Sequence, residues 1–492
     1  MLPSATRAAL GAQFILTLGF GLAASISNSN DTVDSTISTS SITVDLSTRY
    51  QTIDGFGFSG YFGPASTIEG LPAAQQKQTL DLLFNTTTGA GFTILRNGIT
   101  VDVIQPKGPT LANGTATYAW DHSDSGQVWL SQQAQKYGVK RFFADSWSAP
   151  AFMKTNDNED EGGYLCGVTD ATCKTGDWRQ AYADLVVQYL KDYQSEGINV
   201  TEVGFINEPE YEGSYDSMLS SGTQAADFIK VLHPTLQAAG LGQVGIVCCD
   251  GIGWPEQVQS TKELIAAGVE PLLTHITSHF YSGLPSGPMD TTLPVWQTEY
   301  ALLKATYSDV WYKNGGGDET EGMTWANLIF QGIVQCNLSA YLHLWGVQAS
   351  GAAGSLISAG FGGPVEASSL LWAYAQWSRH VRPAAVRVEA TLTTTIPNVV
   401  SKRDLYVIYN SAFENPDGTV SVQIINNGAP DRPFTVGVDS MDVESAQAWL
   451  TDSSHIGIFA VNGMALSKSG ILSLTVPTQS MVTVLFTPAS KA

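Results

Sequence analysis

Between about Tyr50 and Trp377 one pattern recurs: a short apolar run of strand length, ended by polar side chains, then a stretch with helical spacing. The runs are Asp54 to Phe58, Thr93 to Asn97, Arg141 to Ser146, Glu202 to Asn207, Gly245 to Cys249, Ile276 to Phe280, Val295 to Thr298 and Ala340 to Trp345. Parallel strands need a crossover between them, usually a helix, so eight runs separated by helical segments favour a (β/α)8 barrel. A doubly wound sheet is the competing arrangement. Its support is GFGFSG at 55–60, a formal GxGxxG match, but those glycines fall inside the first run, and Tyr61-Phe62-Gly63-Pro64 follows where a helix should begin.

One helical segment is legible in detail. Trp178, Tyr182, Leu185, Tyr189 and Tyr193 fall on one face, with Asp177 as the expected N-cap, and that aromatic stripe is expected to pack in the core. From about Arg382 the pattern changes to strands alone: Val386 to Val388, Leu405 to Tyr409, Val420 to Ile425, Phe434 to Val438, Ala446 to Leu450, Leu472 to Val476 and Met481 to Phe486. Turn chemistry at Asn415-Pro416-Asp417-Gly418 and Asn426-Asn427-Gly428 separates them, as in a β-sandwich. Ile42 to Leu46 alternates like a half-buried strand before the barrel begins, and is expected to cross over and pair in this second sheet. The resulting organisation is a signal peptide (1–24), a Ser/Thr-rich leader (25–41), a strand joining the side β-sandwich (42–49), the barrel (50–380) and the β-sandwich domain (381–492).

The leader assignment rests on Arg7, the apolar stretch Ala8 to Leu22 and the small residues Ala23-Ala24-Ser25, the pattern of a secretory signal. Export would make the Asn-X-Ser/Thr sequons at Asn30, Asn85, Asn113, Asn199 and Asn337 acceptors for glycans. It would also allow Cys166 and Cys173, which flank the short loop CGVTDATC, to form a disulfide. Cys248, Cys249 and Cys336 are left without an assigned pairing, with a buried free thiol expected for at least one. The net charge of −21 has no Lys/Arg cluster to interrupt it, which argues against a nucleic acid or an anionic membrane as partner. No later apolar run reaches the roughly 18 residues that span a bilayer. A secreted, extracellular monomer acting on a neutral or weakly charged partner is the expectation, with no cofactor and no metal implied.

Barrel active sites lie at the C-terminal ends of the strands, so the residues that end each run are the ones to weigh. They are Arg96-Asn97, Asp145-Ser146-Trp147, Asn207-Glu208-Pro209, His279-Phe280-Tyr281, Glu299-Tyr300 and Trp345. A lone glutamate at a strand end is usually a solvated turn residue. Glu208 and Glu299 at equivalent ends, with tryptophans on the same rim and Arg96 and Tyr281 placed to steady a carboxylate, suit glycoside hydrolysis instead. Glu202 lies at the opposite rim and is read as structural, while Glu210 and Glu212 fall in the loop after Pro209.

These motifs in order, GFGFSGYFG (55–63), ILRNGI (94–99), DSWSAPAFMK (145–154), INEPEY (206–211), SHFYS (278–282), WQTEY (296–300) and LHLWG (342–346), resemble glycoside hydrolase family 30, most of all its fungal xylanase-type branch. The resemblance implies the TIM barrel with an associated side β-sandwich and a retaining double displacement. It assigns Glu208 as acid/base and Glu299 as nucleophile. It implies that Asn207 contacts the hydroxyl beside the reacting carbon, that Arg96 and Tyr281 hold Glu299 ionised, and that Trp147 and Trp345 form a sugar platform. His279 and Tyr300 join the substrate-facing set.

Several xylanases of the family recognise a glucuronic acid branch through basic residues, one of them an Arg in the loop after the first strand. Here that loop, Phe58 to Ser66, holds no Arg or Lys. The expected activity is therefore hydrolysis of β-1,4-xylosidic bonds, in endo mode with release of short products from a chain end left open, without a strict need for the acidic branch. A β-1,6-galactanase or β-1,6-glucanase of the same family is the nearer alternative. A non-catalytic carbohydrate-binding cell-wall protein is the farther one.

Overall fold

The computed structural model describes residues 39–99, 112, 116–304, 307–313, 317–349, 354–394 and 408–490. The signal peptide, the leader up to residue 38, Asn30, Asn113 and the predicted strand start at Leu405 lie outside the described residues.

The chain enters through β1 (Ser40–Thr52) and then forms β2 (Gly55–Ser59), β3 (Ile94–Ile99), β4 (Arg141–Ser146), β5 (Glu202–Val203), β6 (Gly245–Gly251), β7 (His275–His279), β8 (Val295–Glu299) and β9 (Leu338–Trp345). β2 to β9 pair in parallel and in sequence order, and β9 pairs with β2, so the sheet closes into an eight-stranded barrel. That closure excludes the doubly wound sheet. The glycines of GFGFSG serve packing: a Cβ on Gly57 would stand 2.0 Å from the carbonyl oxygen of Ile94 on the neighbouring strand.

Each strand overlaps a predicted run because parallel strands covered on both faces are apolar almost throughout. Ile94, Phe143, Val247, Trp296, Ala340 and Leu342 fill the barrel interior. At the N-terminal rim Arg141 bonds Asp54 at 2.5 Å and approaches Glu202 at 3.5 Å, and the Trp296 indole donates to Asp54 at 2.9 Å. Glu202 is thus the structural residue expected.

The helix Arg179–Ser195 buries Tyr182, Leu185, Tyr189 and Tyr193 against the barrel; fully burying a side chain such as Leu185 contributes about 1.5–3 kcal/mol. Its N-cap is Trp178, not Asp177. The aspartate stands one residue earlier, accepts the Arg179 N–H at 3.1 Å and pairs with the Arg179 guanidinium.

β1 bridges the two domains. It runs antiparallel to Val386–Thr394 and parallel to Arg432–Val438, so it sits inside the C-terminal sheet as expected. That sheet has ten strands in the described residues and packs on one apolar core, including Ile42, Val44, Val422, Phe434, Leu474 and Val484. Two of its strands, His455–Ala460 and Ala465–Leu466, were absent from the sequence reading; both are largely exposed, so no apolar run marks them.

Cys166 and Cys173 form the expected disulfide, Cys248 and Cys249 are bonded to each other, and Cys336 is a buried free thiol.

Candidate active site

The polar ends of the barrel strands converge on one rim. β5 pairs for only two residues, shorter than the predicted Glu202 to Asn207, and the chain then turns out of the sheet toward Asn207 and Glu208. Gly204 permits the turn, since a Cβ there would stand 2.1 Å from Asp145 Oδ1. Glu208 has φ 47°, a left-handed conformation that side chains other than glycine rarely adopt and that costs about 1–3 kcal/mol. Its N–H donates to the Asp250 carbonyl at 2.9 Å, which holds it there.

Glu208 and Glu299 are both buried, and an oxygen of each lies within 4.8 Å of the other. Their surroundings differ. Glu299 receives Nη1 of Arg96 on Oε2 and the Tyr281 hydroxyl on Oε1 at 3.0 Å. Glu208 receives the Tyr215 hydroxyl on Oε2 at 3.1 Å and His279 Nδ1 on Oε1 at 3.0 Å. Glu299 thus has a guanidinium and a phenol as fixed partners, and Glu208 a phenol and an imidazole.

Arg96 organises the floor of the site. Its Nη2 donates to Asn207 Oδ1 at 2.7 Å, Asp250 Oδ2 at 2.8 Å and Asp145 Oδ2 at 3.1 Å, with the Trp147 ring 4.7 Å from its guanidinium carbon. Burial opposes the Arg96 charge, but Asp250, Glu299 and Asp145 outweigh it and raise its pKa. Burial pushes the Asp145 carboxyl well up, helped by the charge of Asp250. Burial acts the same way on Asp250, but Arg96 and His279 outweigh it and hold Asp250 well below the ordinary carboxylate range. For His279 burial acts downward, yet the charge of Glu299, the nearby Asp250 carboxylate and the hydrogen bond to Glu208 carry it up to about 9. The imidazole is therefore a cation at neutral pH. Its Nε2 is 3.7 Å from Asp250, an ion pair beyond hydrogen-bond reach. Burial, then the charges of Glu299 and Glu208, raise Tyr281, and burial with the same two charges raises Tyr215, so both phenols remain donors.

Of the residues singled out from sequence, Arg96, Asn207, Glu208, His279, Tyr281 and Glu299 meet in one network. Trp147 does not lie open as a platform: it is 2% exposed, covered by Tyr61 at 4.6 Å and Phe62 at 5.0 Å between ring centroids. Trp345 ends β9 half-buried. Tyr300 turns its hydroxyl to Glu319 at 2.7 Å and stacks toward Trp325, so it supports the wall instead of meeting either carboxylate.

Sequence reasoning missed Asp250 and Tyr215. Asp250 is the first polar residue after GIVCC, the same signal that marks the other strand ends. Tyr215 lies in a loop and carried no such mark.

Glu208, His279 and Glu299 are the group among the described residues whose ligand atoms could meet on a cation. In the network these atoms are engaged with one another and with their neighbours: Glu208 accepts from His279 and Tyr215, and Glu299 from Arg96 and Tyr281.

The family description "O-Glycosyl hydrolase family 30" matches residues 106–262, and "Glycosyl hydrolase family 30 beta sandwich domain" matches residues 385–484. Among solved structures, the catalytic domain of GH30 xylanase C from Talaromyces cellulolyticus is 45% identical with a TM-score of 0.84, covering 91% of this chain and 100% of that one. Putative glucosylceramidase 2 of Caenorhabditis elegans is 25% identical over 457 residues, 85% of this chain and 83% of that protein. An endo-1,6-beta-D-glucanase of Trichoderma harzianum is 28% identical over 225 residues, 40% of this chain and 43% of that protein.

Proposed function

The chain belongs to glycoside hydrolase family 30, and from that membership we propose that it is an exported, retaining xylanase that cleaves β-1,4-xylosidic bonds without requiring a glucuronic acid branch. The observation that carries the retaining reading is the carboxylate pair, with oxygens within 4.8 Å of one another. Retaining enzymes hold their two carboxyl groups about 5–5.5 Å apart, whereas inverting enzymes need about 6.5–9.5 Å to admit water between them.

In this reading Glu299 attacks the anomeric carbon while the bond to the leaving oxygen breaks and Glu208 gives that oxygen its proton. Arg96 and Tyr281 hold and aim the attacking carboxylate. Water then attacks the same carbon, Glu208 takes the water's proton, and the ester to Glu299 breaks. Two inversions leave the sugar with its starting configuration. Asn207, fixed by Arg96, contacts the neighbouring sugar hydroxyl.

Xylan as substrate draws support from the 45% identity to a xylanase over most of the chain. The loop after β2 presents Tyr61 and Phe62 over Trp147 where a cation would be needed to bind an acidic branch. The net charge of −21 also gives no long-range attraction to an acidic polymer. A β-1,6-glucanase is the second reading, favoured by the match to the Trichoderma harzianum enzyme. Product analysis on unbranched xylan, glucuronoxylan and β-1,6-glucan separates them. We expect comparable rates on the two xylans and none on the glucan. A loss of several orders of magnitude on unbranched xylan refutes branch independence, and glucan as the better substrate installs the second reading.

Export and N-glycosylation belong to the same proposal. Asn199 and Asn337 are exposed and Asn85 is half-buried; all three precede or follow barrel elements on the rim opposite the carboxylates, so glycans there would leave the site clear.

A further inference from the structure

Lys154 takes no part in the network around the two glutamates, yet it is 3% exposed, and lysines are almost never that buried. Its ammonium donates to three uncharged oxygens: Ser148 Oγ at 2.9 Å, the Glu159 carbonyl at 2.8 Å and the Ser217 carbonyl at 2.7 Å. All three of its protons are used.

Those oxygens belong to two loops on the catalytic rim, one following β4 and one following Glu208. The loops are sewn together around the ammonium: the Glu161 N–H donates to the Gly213 carbonyl at 2.8 Å, that of Ser217 to Glu159 at 3.1 Å and that of Leu219 to Gly163 at 2.7 Å. Ser217 Oγ then accepts the N–H groups of Gly162 at 2.9 Å and Gly213 at 3.2 Å, closing residues 213–217 into a tight turn. Tyr215 sits at its tip and donates to Glu208 Oε2.

We infer that Lys154 is a positioning residue for proton donation: by holding Ser217 it fixes the turn that carries Tyr215, and Tyr215 sets the plane of the Glu208 carboxyl. The inference rests on Glu208 being the acid/base. A protonated Oε2 keeps a lone pair for Tyr215 while its own hydrogen points to the leaving oxygen. Without the ammonium, the Ser217 carbonyl loses its shortest donor and the Glu159 carbonyl one of three, and the turn loses its anchor.

Lys154→Met keeps the stem and removes the charge. A purely structural lysine would affect all substrates alike. A lysine that positions the acid would matter only where the leaving group needs a proton. We expect kcat/KM on a linear xylo-oligosaccharide to fall about tenfold to a hundredfold, part of the ~10²–10⁴ that general acid catalysis supplies. On an aryl β-xylobioside with a nitrophenolate leaving group it should stay unchanged. Tyr215→Phe should show the same split, and the double variant should be no worse than the poorer single. Equal loss on both substrates, no loss on either, or losses that multiply would overturn the inference. If Lys154→Met does not fold, Ser217→Ala, which opens the same turn and keeps the lysine, decides by the same split. Glu208→Ala is the reference: if it shows no split, the acid/base assignment itself fails; if it alone shows the split, only the role of Lys154 falls.

Discussion

Glu299→Gln is expected to lower kcat on xylo-oligosaccharides by on the order of 10⁴-fold or more, with the fold intact. Glutamine preserves the shape and accepts the Tyr281 hydrogen bond, but its amide cannot attack the anomeric carbon and leaves Arg96 without one of its charges. Glu299→Gly, measured with added azide, sharpens the test. A small anion can enter the vacated space and attack from the same side, giving a glycosyl azide of inverted configuration, and Glu208 still protonates the leaving oxygen. A Glu299→Gln variant as active as the parent would instead revive the reading of a carbohydrate-binding protein without catalysis.

The second large effect is on stability. Arg96→Met should destabilise the protein by about 3–5 kcal/mol, the usual consequence of stranding a buried carboxylate by removing its partner. Arg96 is fully buried and bonds Glu299, Asp250 and Asp145 at once, so the upper end is expected. The sign of the pH dependence follows from Asp250. In the parent its pKa is held below the unfolded value, so its pairing stabilises at neutral pH and is lost as the pH falls. In the variant the same carboxylate is buried with less compensation and its pKa rises above the unfolded value. Its penalty is then present at neutral pH and disappears on acidification. The gap in Tm between parent and variant should therefore narrow from pH 8 toward about pH 4.5. A gap that stays constant over that range would mean that the lost contribution is packing of the guanidinium on Trp147 and not charge.

The barrel was legible because its strands, covered on both faces, are apolar runs with polar ends, and the rule that reads those ends found both Glu208 and Glu299. The same rule would have found Asp250 had the run been followed one residue past Cys249. Tyr215 and Lys154 are of another kind. Their meaning depends on contacts between two loops, such as Lys154 with Ser217, and nothing in local spacing announces such a pairing. Trp147 shows the converse: a tryptophan at a strand end looks like a sugar platform, but Tyr61 and Phe62, far away in sequence, cover it. The strand His455–Ala460 escaped notice because an edge strand with little buried surface needs no apolar run, its backbone pairing with Val443–Asp452 being enough.

The central claim is that Glu208 and Glu299 act as a retaining pair. Proton NMR of the anomeric region, recorded in the first minutes of hydrolysis of a reduced-end xylo-oligosaccharide, tests it most directly, before mutarotation mixes the anomers. A retaining pair predicts that the β-anomer appears first and the α-anomer grows in later. The α-anomer appearing first would contradict it.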